Sequence, residues 1–114
     1  MIASTLPDIE IPDSSANEFG VTVNVGHFDY LTVEVPPLPF TFPFGSNIIT
    51  VSVDGRSVAV CTVEANNPTR LSIKIPPVAV RCCWQDFKYE VETEWGAKET
   101  SNILYVLNEH VHSN

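Results

Sequence analysis

A chain of 114 residues is expected to fold as one domain, and a hydrophobic content of 44% is enough for a core without a metal or a disulfide. The chain carries 14 acidic and 6 basic residues, and no Lys or Arg precedes Arg56. Nucleic acid is therefore not an expected partner, because phosphate binding needs clustered cations. No stretch approaches the roughly 20 apolar residues of a membrane-spanning helix, so no membrane insertion is expected.

Residues 1–20 predict an extended N-terminal arm. Pro7 and Pro12, together with the interspersed Asp and Ser residues, interrupt any regular pattern. Ile9 and Ile11 are apolar exceptions, and we expect them to lie on the surface of a neighbouring molecule. Neither a positively charged segment nor an apolar stretch follows the first residue, so no signal peptide is expected. The expected location is a virion or the host cytoplasm.

Residues 21–108 predict a β-sandwich domain, since apolar and polar side chains alternate with a period of two and no helical period occurs. The strongest signal is the alternation of Ile49, Val51 and Val53 before Asp54-Gly55, because a two-residue type I′ turn needs a positive φ at both positions. Further strands are predicted around 21–25, 31–35, 71–75, 87–93 and 103–107, with a short edge segment over 78–82.

About seven strands with turns every 8–12 residues are typical of an immunoglobulin-like antiparallel β-sandwich, which is the predicted fold class. The last strand is predicted from Ile103, Tyr105 and Leu107. The polar residues 109–114 predict a flexible tail.

The segment 36–47 combines four prolines with Leu38, Phe40, Phe42 and Phe44. Proline fixes φ and lacks a backbone donor, so this segment is not expected to be a central strand. Two interpretations remain open. The apolar side chains cap the open end of the sandwich, or they form an exposed patch for another chain. We predict that at least two of the three Phe side chains contact another chain.

The two tryptophans, Trp84 and Trp95, are predicted to lie in loops. There an indole can stack on a sugar ring or anchor a protein interface. The alternative is that one of them fills the core.

Three cysteines make a poor disulfide framework, because the count is odd and two of them are adjacent. In a strand, Cys82 and Cys83 would point to opposite faces and could not easily bridge to each other. We expect Cys61 to be a buried free thiol, with a bridge to Cys82 or Cys83 as the alternative.

No set of residues predicts catalysis or metal binding. His110 and His112 lie in the terminal tail, without the further ligands that a zinc site needs. Glu90, Glu92 and Glu94 share one face of a predicted strand, which is typical of a solvated surface that protects a sheet from unwanted pairing. We therefore predict no enzymatic activity, no cofactor and no metal site.

Residues 46–107 resemble an immunoglobulin-like IPT/TIG module. The matching features are the Val51-Ser52-Val53-Asp54-Gly55 hairpin with Cys61 in the returning strand, Leu71-Ser72-Ile73-Lys74-Ile75-Pro76-Pro77, Tyr89-Glu90-Val91-Glu92 before Trp95-Gly96, and Ser101-Asn102-Ile103-Leu104-Tyr105. Modules of this family mostly mediate contacts inside larger proteins and do not catalyse. The resemblance implies an interaction role and identifies no ligand residues.

Together these observations predict a non-enzymatic structural or interaction module of a larger assembly. A small sandwich with an arm suits an accessory protein of a viral or phage particle, such as a capsid decoration or tail protein. Its partners would be copies of itself or a capsid or tail protein. The alternative is a carbohydrate- or protein-binding immunoglobulin-like adhesion domain. The candidate interaction residues are Ile9, Ile11, Leu38, Phe40, Phe42, Phe44, Trp84 and Trp95.

Overall fold

The computed structural model describes residues 6–26, 28–38, 46–64, 70–94 and 96–110. Within these ranges it contains nine β-strands and one short 3-10 helix, Pro77–Ala79. The strands are β1 Ser15–Ala16, β2 Gly20–Val23, β3 Leu31–Val35, β4 Ser46–Val53, β5 Arg56–Glu64, β6 Leu71–Ile75, β7 Cys83–Glu92, β8 Lys98–Thr100 and β9 Leu104–Asn108.

Two sheets pack face to face around one hydrophobic core. The large sheet has the order β1-β2-β9-β7-β4-β5, with β8 also paired to β7, and the small sheet consists of β3 and β6. The core draws side chains from both sheets, for example Val33 and Ile75 from the small sheet and Phe87 from the large one. This arrangement confirms the predicted all-β sandwich. The prediction of purely antiparallel strands was wrong for one pairing, because β2 runs parallel to β9.

The structure confirms the alternation of inward and outward side chains that was predicted for the central hairpin. Ile49, Val51 and Val53 point into the core and are buried, whereas Thr50 and Ser52 lie on the outer face. The turn between β4 and β5 has φ of 53° at Asp54 and 81° at Gly55, the two positive values that a type I′ turn requires. One extra residue of β5 forms a bulge opposite Val51 and Ser52.

The described part of the predicted arm, residues 6–20, packs against the sandwich instead of extending from it. Leu6, Ile9 and Ile11 are buried in the core. Glu10 exchanges two backbone hydrogen bonds with Glu34 of β3, at 2.9 and 2.7 Å, and so widens the small sheet. The prolines that interrupt the pattern do not prevent packing, because Ile9 and Ile11 still alternate with polar residues that face water.

A buried tyrosine fastens this N-terminal segment to the large sheet. The hydroxyl of Tyr89 in β7 donates a hydrogen bond to the carbonyl oxygen of Pro7. Burial raises the pKa of the Tyr89 hydroxyl, and the carboxylates of Asp8 and Glu99 raise it further, so the phenol stays a donor to a higher pH than an exposed tyrosine would. A guanidinium at the surface adds a second link, since Arg70 lies 2.6 Å from a carboxylate oxygen of Glu10.

Several boundaries differ from the sequence-based expectation. The edge segment predicted over 78–82 is replaced by the 3-10 helix Pro77–Ala79, because two successive prolines favour this tight turn over a strand. Strand β7 begins at Cys83, several residues earlier than predicted, and β8 was not predicted. In the predicted tail, the backbone N–H of Glu109 donates to the carbonyl oxygen of Val23 at 2.9 Å. Residues 111–114 lie outside the described residues.

The last strand was predicted from Ile103, Tyr105 and Leu107, but the other alternating set of β9 faces the core. Val106 and Asn108 are buried, whereas Tyr105 faces outward. Apolar residues occupy both alternating sets in 103–107, so the sequence does not distinguish the two orientations. A shift of one residue exchanges every inward and outward side chain, which explains how Tyr105 comes to lie on the surface.

Candidate interaction surface

Three aromatic side chains lie together on the outer face of the large sheet, and we call Phe19, Trp84 and Tyr105 the aromatic cluster. Their exposed fractions are 69%, 46% and 44%. Trp84 and Asp86 are two residues apart on β7, so they point to the same face of the sheet. Their cross-strand partners on β9 are Leu107 and Tyr105, so the Trp84 and Tyr105 rings stand on that same face. Phe19 meets Trp84 edge to face, with ring centroids 5.8 Å apart and planes at 79°.

The local sequence holds Phe19 in this position through one turn. The side-chain oxygen of Asn17 accepts hydrogen bonds from the backbone N–H groups of Phe19 and Gly20, both at 2.8 Å. The Asn17 amide nitrogen donates to Thr22 at 2.9 Å. Asparagine suits this role because its side chain mimics a backbone turn. The turn lets β2 fold back on β1 and carries the Phe19 ring to the side of Trp84.

Carboxylates border the aromatic cluster. Asp86 is the cross-strand partner of Tyr105, and Glu18 precedes Phe19 in the turn; both are exposed. A partner surface that covers the rings would also approach these two charges. The cluster therefore fits a surface that has an apolar depression with basic side chains around it.

A depression of this kind exists elsewhere on the same chain. A pocket of about 380 Å³ lies between the Asp54-Gly55 turn and the 3-10 helix. Val58, Val78 and Ala79 contribute apolar lining, and Arg56 and Arg81 contribute two exposed guanidinium groups. The carboxylate of Asp54 also lines the pocket, where it accepts hydrogen bonds from Gln85 and from the backbone of Asp86, so the two arginines outnumber the one acidic group. Within the described residues, neither arginine makes an ion pair. We call this site the arginine pocket.

Cys82 and Cys83 present two exposed free thiols where β7 begins, with their sulfur atoms 2.9 Å apart. The expectation that they point to opposite faces was wrong, because Cys83 has a φ of 71° and leaves the extended conformation. The hydrogen bond that Cys83 donates to Cys82 raises the pKa of the Cys83 thiol, and the charge of Cys82 adds to this effect. Cys61 is a free, half-buried thiol whose pKa is raised by burial.

The structure places the predicted interaction residues in different environments. Ile9 and Ile11 are buried within the chain's own core, which accounts for both side chains without a neighbouring molecule. Leu38 is half-buried and packs against the same core. Trp84 lies in strand β7 and not in a loop, yet it remains exposed. Phe40, Phe42, Phe44 and Trp95 lie outside the described residues, so the predictions for them stay predictions.

Sequence reasoning missed Phe19 and Tyr105. Phe19 lies within the predicted arm 1–20, and Tyr105 was named only as a residue of the last strand. The only available signal was the Asn17-to-Gly20 turn, which predicts a reversal of the chain next to an aromatic residue.

No group of three or more His, Cys, Asp and Glu side chains with metal-binding geometry occurs among the described residues. His110 is engaged with Asn24, at 2.9 Å between the ring nitrogen and the amide oxygen. Glu94 accepts a hydrogen bond from the backbone of Ser46 at 2.8 Å. None of the helices described is sufficiently long and apolar to cross a bilayer.

Comparisons with known proteins give no relative. No family model matches the chain, and neither a curated protein nor a solved structure matches it. The resemblance to an IPT/TIG module therefore stays a prediction.

Proposed function

We propose that this chain is a non-enzymatic interaction module of a larger assembly, and that it docks through the aromatic cluster. The observation that carries this proposal is the grouping of three exposed rings on one sheet face. Burying an aromatic side chain is worth about 1.5–3 kcal/mol, and aromatic residues dominate the energetics of protein interfaces. Exposed apolar groups of this kind mark interaction sites on small domains.

The ring geometry favours a protein partner over a carbohydrate. A sugar stacks on a flat aromatic face, and a platform for several sugar units needs rings that lie in a common plane. Phe19 and Trp84 stand at 79° to each other, so they project as a ridge. A ridge fits an apolar pocket on another protein, as interface anchors do. A carbohydrate-binding adhesion domain remains the alternative candidate that the experiment below must distinguish.

A second copy of the chain is the occupant that the surface chemistry favours. The aromatic cluster bears carboxylates at its border, and the arginine pocket offers an apolar lining with two arginines at its rim. The projecting rings of one surface match the depression of the other, and the border carboxylates match the two arginines. A contact between two different patches of identical chains is heterologous, so it produces either a closed ring or an open filament. Accessory proteins of viral or phage particles commonly need such repeating contacts, and the assignment to a capsid decoration or tail protein remains part of this proposal.

The test is sedimentation velocity over a range of protein concentrations. The Phe19→Ser/Trp84→Ser double variant should self-associate at least about tenfold more weakly than the wild type, which corresponds to about 1.4 kcal/mol. The matched control is Ile48→Ser/Val60→Ser, which removes two apolar side chains of 43% and 65% exposure from the outer face of β4 and β5. This control should associate as the wild type does.

A second pair of variants tests the complementary surface. Reversing the charge in Arg56→Glu/Arg81→Glu should weaken association, and raising the salt concentration should weaken the wild type, because the border charges are exposed. A wild type that stays monomeric at millimolar concentration would contradict self-docking. A shift in tryptophan fluorescence on adding oligosaccharides, lost in Trp84→Ser, would favour the carbohydrate-binding alternative.

A further inference from the structure

The thiols of Cys82 and Cys83 lie next to each other at the surface. Both side chains are exposed, and their sulfur atoms are 2.9 Å apart. A disulfide bond is about 2.05 Å long, so bond formation would require an approach of only about 0.9 Å. Cys61 offers a contrast within the same chain, because it is half-buried on β5 and has no thiol next to it in the sequence.

The fold imposes this arrangement through the backbone on both sides of the pair. The N–H of Arg81 donates to the side-chain oxygen of Gln85 at 2.8 Å, and the carbonyl oxygen of Arg81 accepts from the Asn108 amide at 3.2 Å. Cys83 is itself paired with Asn108 across β7 and β9. Gln85 and Asn108 are both buried. These contacts fix the chain just before and just after Cys82, and the left-handed conformation of Cys83 then turns the two side chains toward each other.

We propose that Cys82 and Cys83 form a site of reversible two-electron oxidation, which closes to a vicinal disulfide by exchange with a low-molecular-weight disulfide such as oxidised glutathione. This proposal does not depend on the docking function, because neither sulfur belongs to the aromatic cluster or to the arginine pocket.

The exchange proceeds in two balanced steps. Cys82 loses its proton to solvent, and its thiolate attacks one sulfur of the small disulfide, forming a mixed disulfide and releasing the first small thiolate. Cys83 then loses its proton to solvent, and its thiolate attacks the Cys82 sulfur, forming the Cys82–Cys83 bond and releasing the second small thiolate. Two protein thiols are oxidised and one small disulfide is reduced to two thiols. We assign the first attack to Cys82 because the Cys83 thiol is the donor in the hydrogen bond between them.

Reversibility follows from the geometry of adjacent residues. Consecutive Cα atoms are about 3.8 Å apart, closer than the about 4.4–6.8 Å that ordinary disulfides span. The closed form is therefore strained and exposed, and bonds of this kind are the labile ones that small thiols can reduce. The expected product is a switchable modification rather than a structural cross-link.

The experiment incubates the protein in glutathione buffers of increasing oxidised fraction, followed by acid quenching, alkylation and mass spectrometry. The wild type should lose two alkylatable thiols and two hydrogen atoms without forming a disulfide between chains, and Cys61 should still be alkylated. Adding reduced glutathione should restore both thiols. The control variant Cys61→Ser should behave as the wild type does.

Single substitutions test the assigned order of attack. Cys83→Ser should accumulate one glutathione on Cys82, because no second thiol is present to displace it. Cys82→Ser should accept one glutathione on Cys83 without forming the internal bond, and in the wild type the mixed disulfide trapped at early times should carry its glutathione on Cys82. Circular dichroism of each variant confirms that it is folded. The proposal is overturned if the wild type carries glutathione on both cysteines, or forms intermolecular dimers, without the internal bond. A wild-type mixed disulfide located on Cys83 instead of Cys82 would overturn the order of attack.

Discussion

Two buried asparagines in the same large sheet are in opposite chemical situations. In β9, the side-chain oxygen of Asn108 accepts from Val25 at 3.0 Å and from His110 at 3.1 Å, and its nitrogen donates to the carbonyl oxygens of Val25 and Arg81, both at 3.2 Å. In β4, Asn47 is equally buried, yet neither its oxygen nor its nitrogen has a hydrogen-bond partner within the described residues.

The contrast shows that the surroundings of a buried amide decide whether it stabilises or destabilises the fold. Asn108 connects three segments of chain that are distant in sequence, so it replaces the water contacts it gave up. Asn47 gave up the same contacts without replacement, and an unsatisfied buried polar group costs about 1–3 kcal/mol. The β2–β9 side of the sheet is thus fixed by polar contacts, and the beginning of β4 carries a cost that apolar packing must offset.

The largest expected effect is the loss of Asn108. Asn108→Val should lower the free energy of unfolding by about 3 kcal/mol, because it leaves the buried backbone groups of Val25 and the carbonyl of Arg81 without partners. Chemical denaturation checks this value. A loss below about 1 kcal/mol would contradict the role assigned to this side chain.

A backbone clash should come next in size. A Cβ atom on Gly20 would lie 2.0 Å from the carbonyl oxygen of Tyr105, a backbone atom that cannot move without separating β2 from β9. We expect Gly20→Ala to cost about 2–3 kcal/mol. Gly55→Ala is the control, since nothing lies within 4 Å of its Cβ and only the positive φ is penalised, by about 1 kcal/mol. Equal losses in the two variants would refute the close approach.

The link between the N-terminal segment and the core should have a smaller effect and a characteristic pH dependence. Tyr89→Phe removes the hydrogen bond to Pro7 and should cost about 1–2 kcal/mol at neutral pH. The folded state raises the pKa of this hydroxyl above its unfolded value of about 10, so the wild type should lose stability as the pH rises above 10. The melting temperature of Tyr89→Phe should fall less over this range. Parallel curves for the two proteins would contradict the pKa shift.

The smallest effect should have the opposite sign. Asn47→Val removes two unpartnered polar atoms and introduces a residue that favours strands, so we expect a gain of about 1 kcal/mol. It is the same substitution as in Asn108→Val, at similar burial and in the same sheet. Thermal denaturation of both variants therefore measures the comparison directly, and a loss at Asn47 similar to that at Asn108 would show that Asn47 has a partner.

Much of the sandwich could be predicted from local patterns. The β4–β5 hairpin follows from Ile49, Val51 and Val53 with the Asp54-Gly55 turn, because both the period and the turn chemistry are local properties. Strands β3 and β6 were predicted for the same reason. The candidate site was only partly predicted. Trp84 was identified as an exposed aromatic residue, but its neighbours Phe19 and Tyr105 were not.

What the sequence determined by itself is the central turn and the approximate positions of β2 to β7 and β9, since each depends on residues a few positions apart. Only the tertiary structure decided which face of β9 points inward, because both alternating sets are apolar and packing against β2 and β7 selects one of them. Only the tertiary structure placed Ile9 and Ile11 in the core and Cys82 beside Cys83. These positions depend on two long-range hydrogen bonds. Tyr89 donates to Pro7, which is 82 positions away in the sequence, and Asn108 donates to Arg81, which is 27 positions away. Long-range contacts of this kind have no local signature, because their energy is gained only after the sheets have assembled.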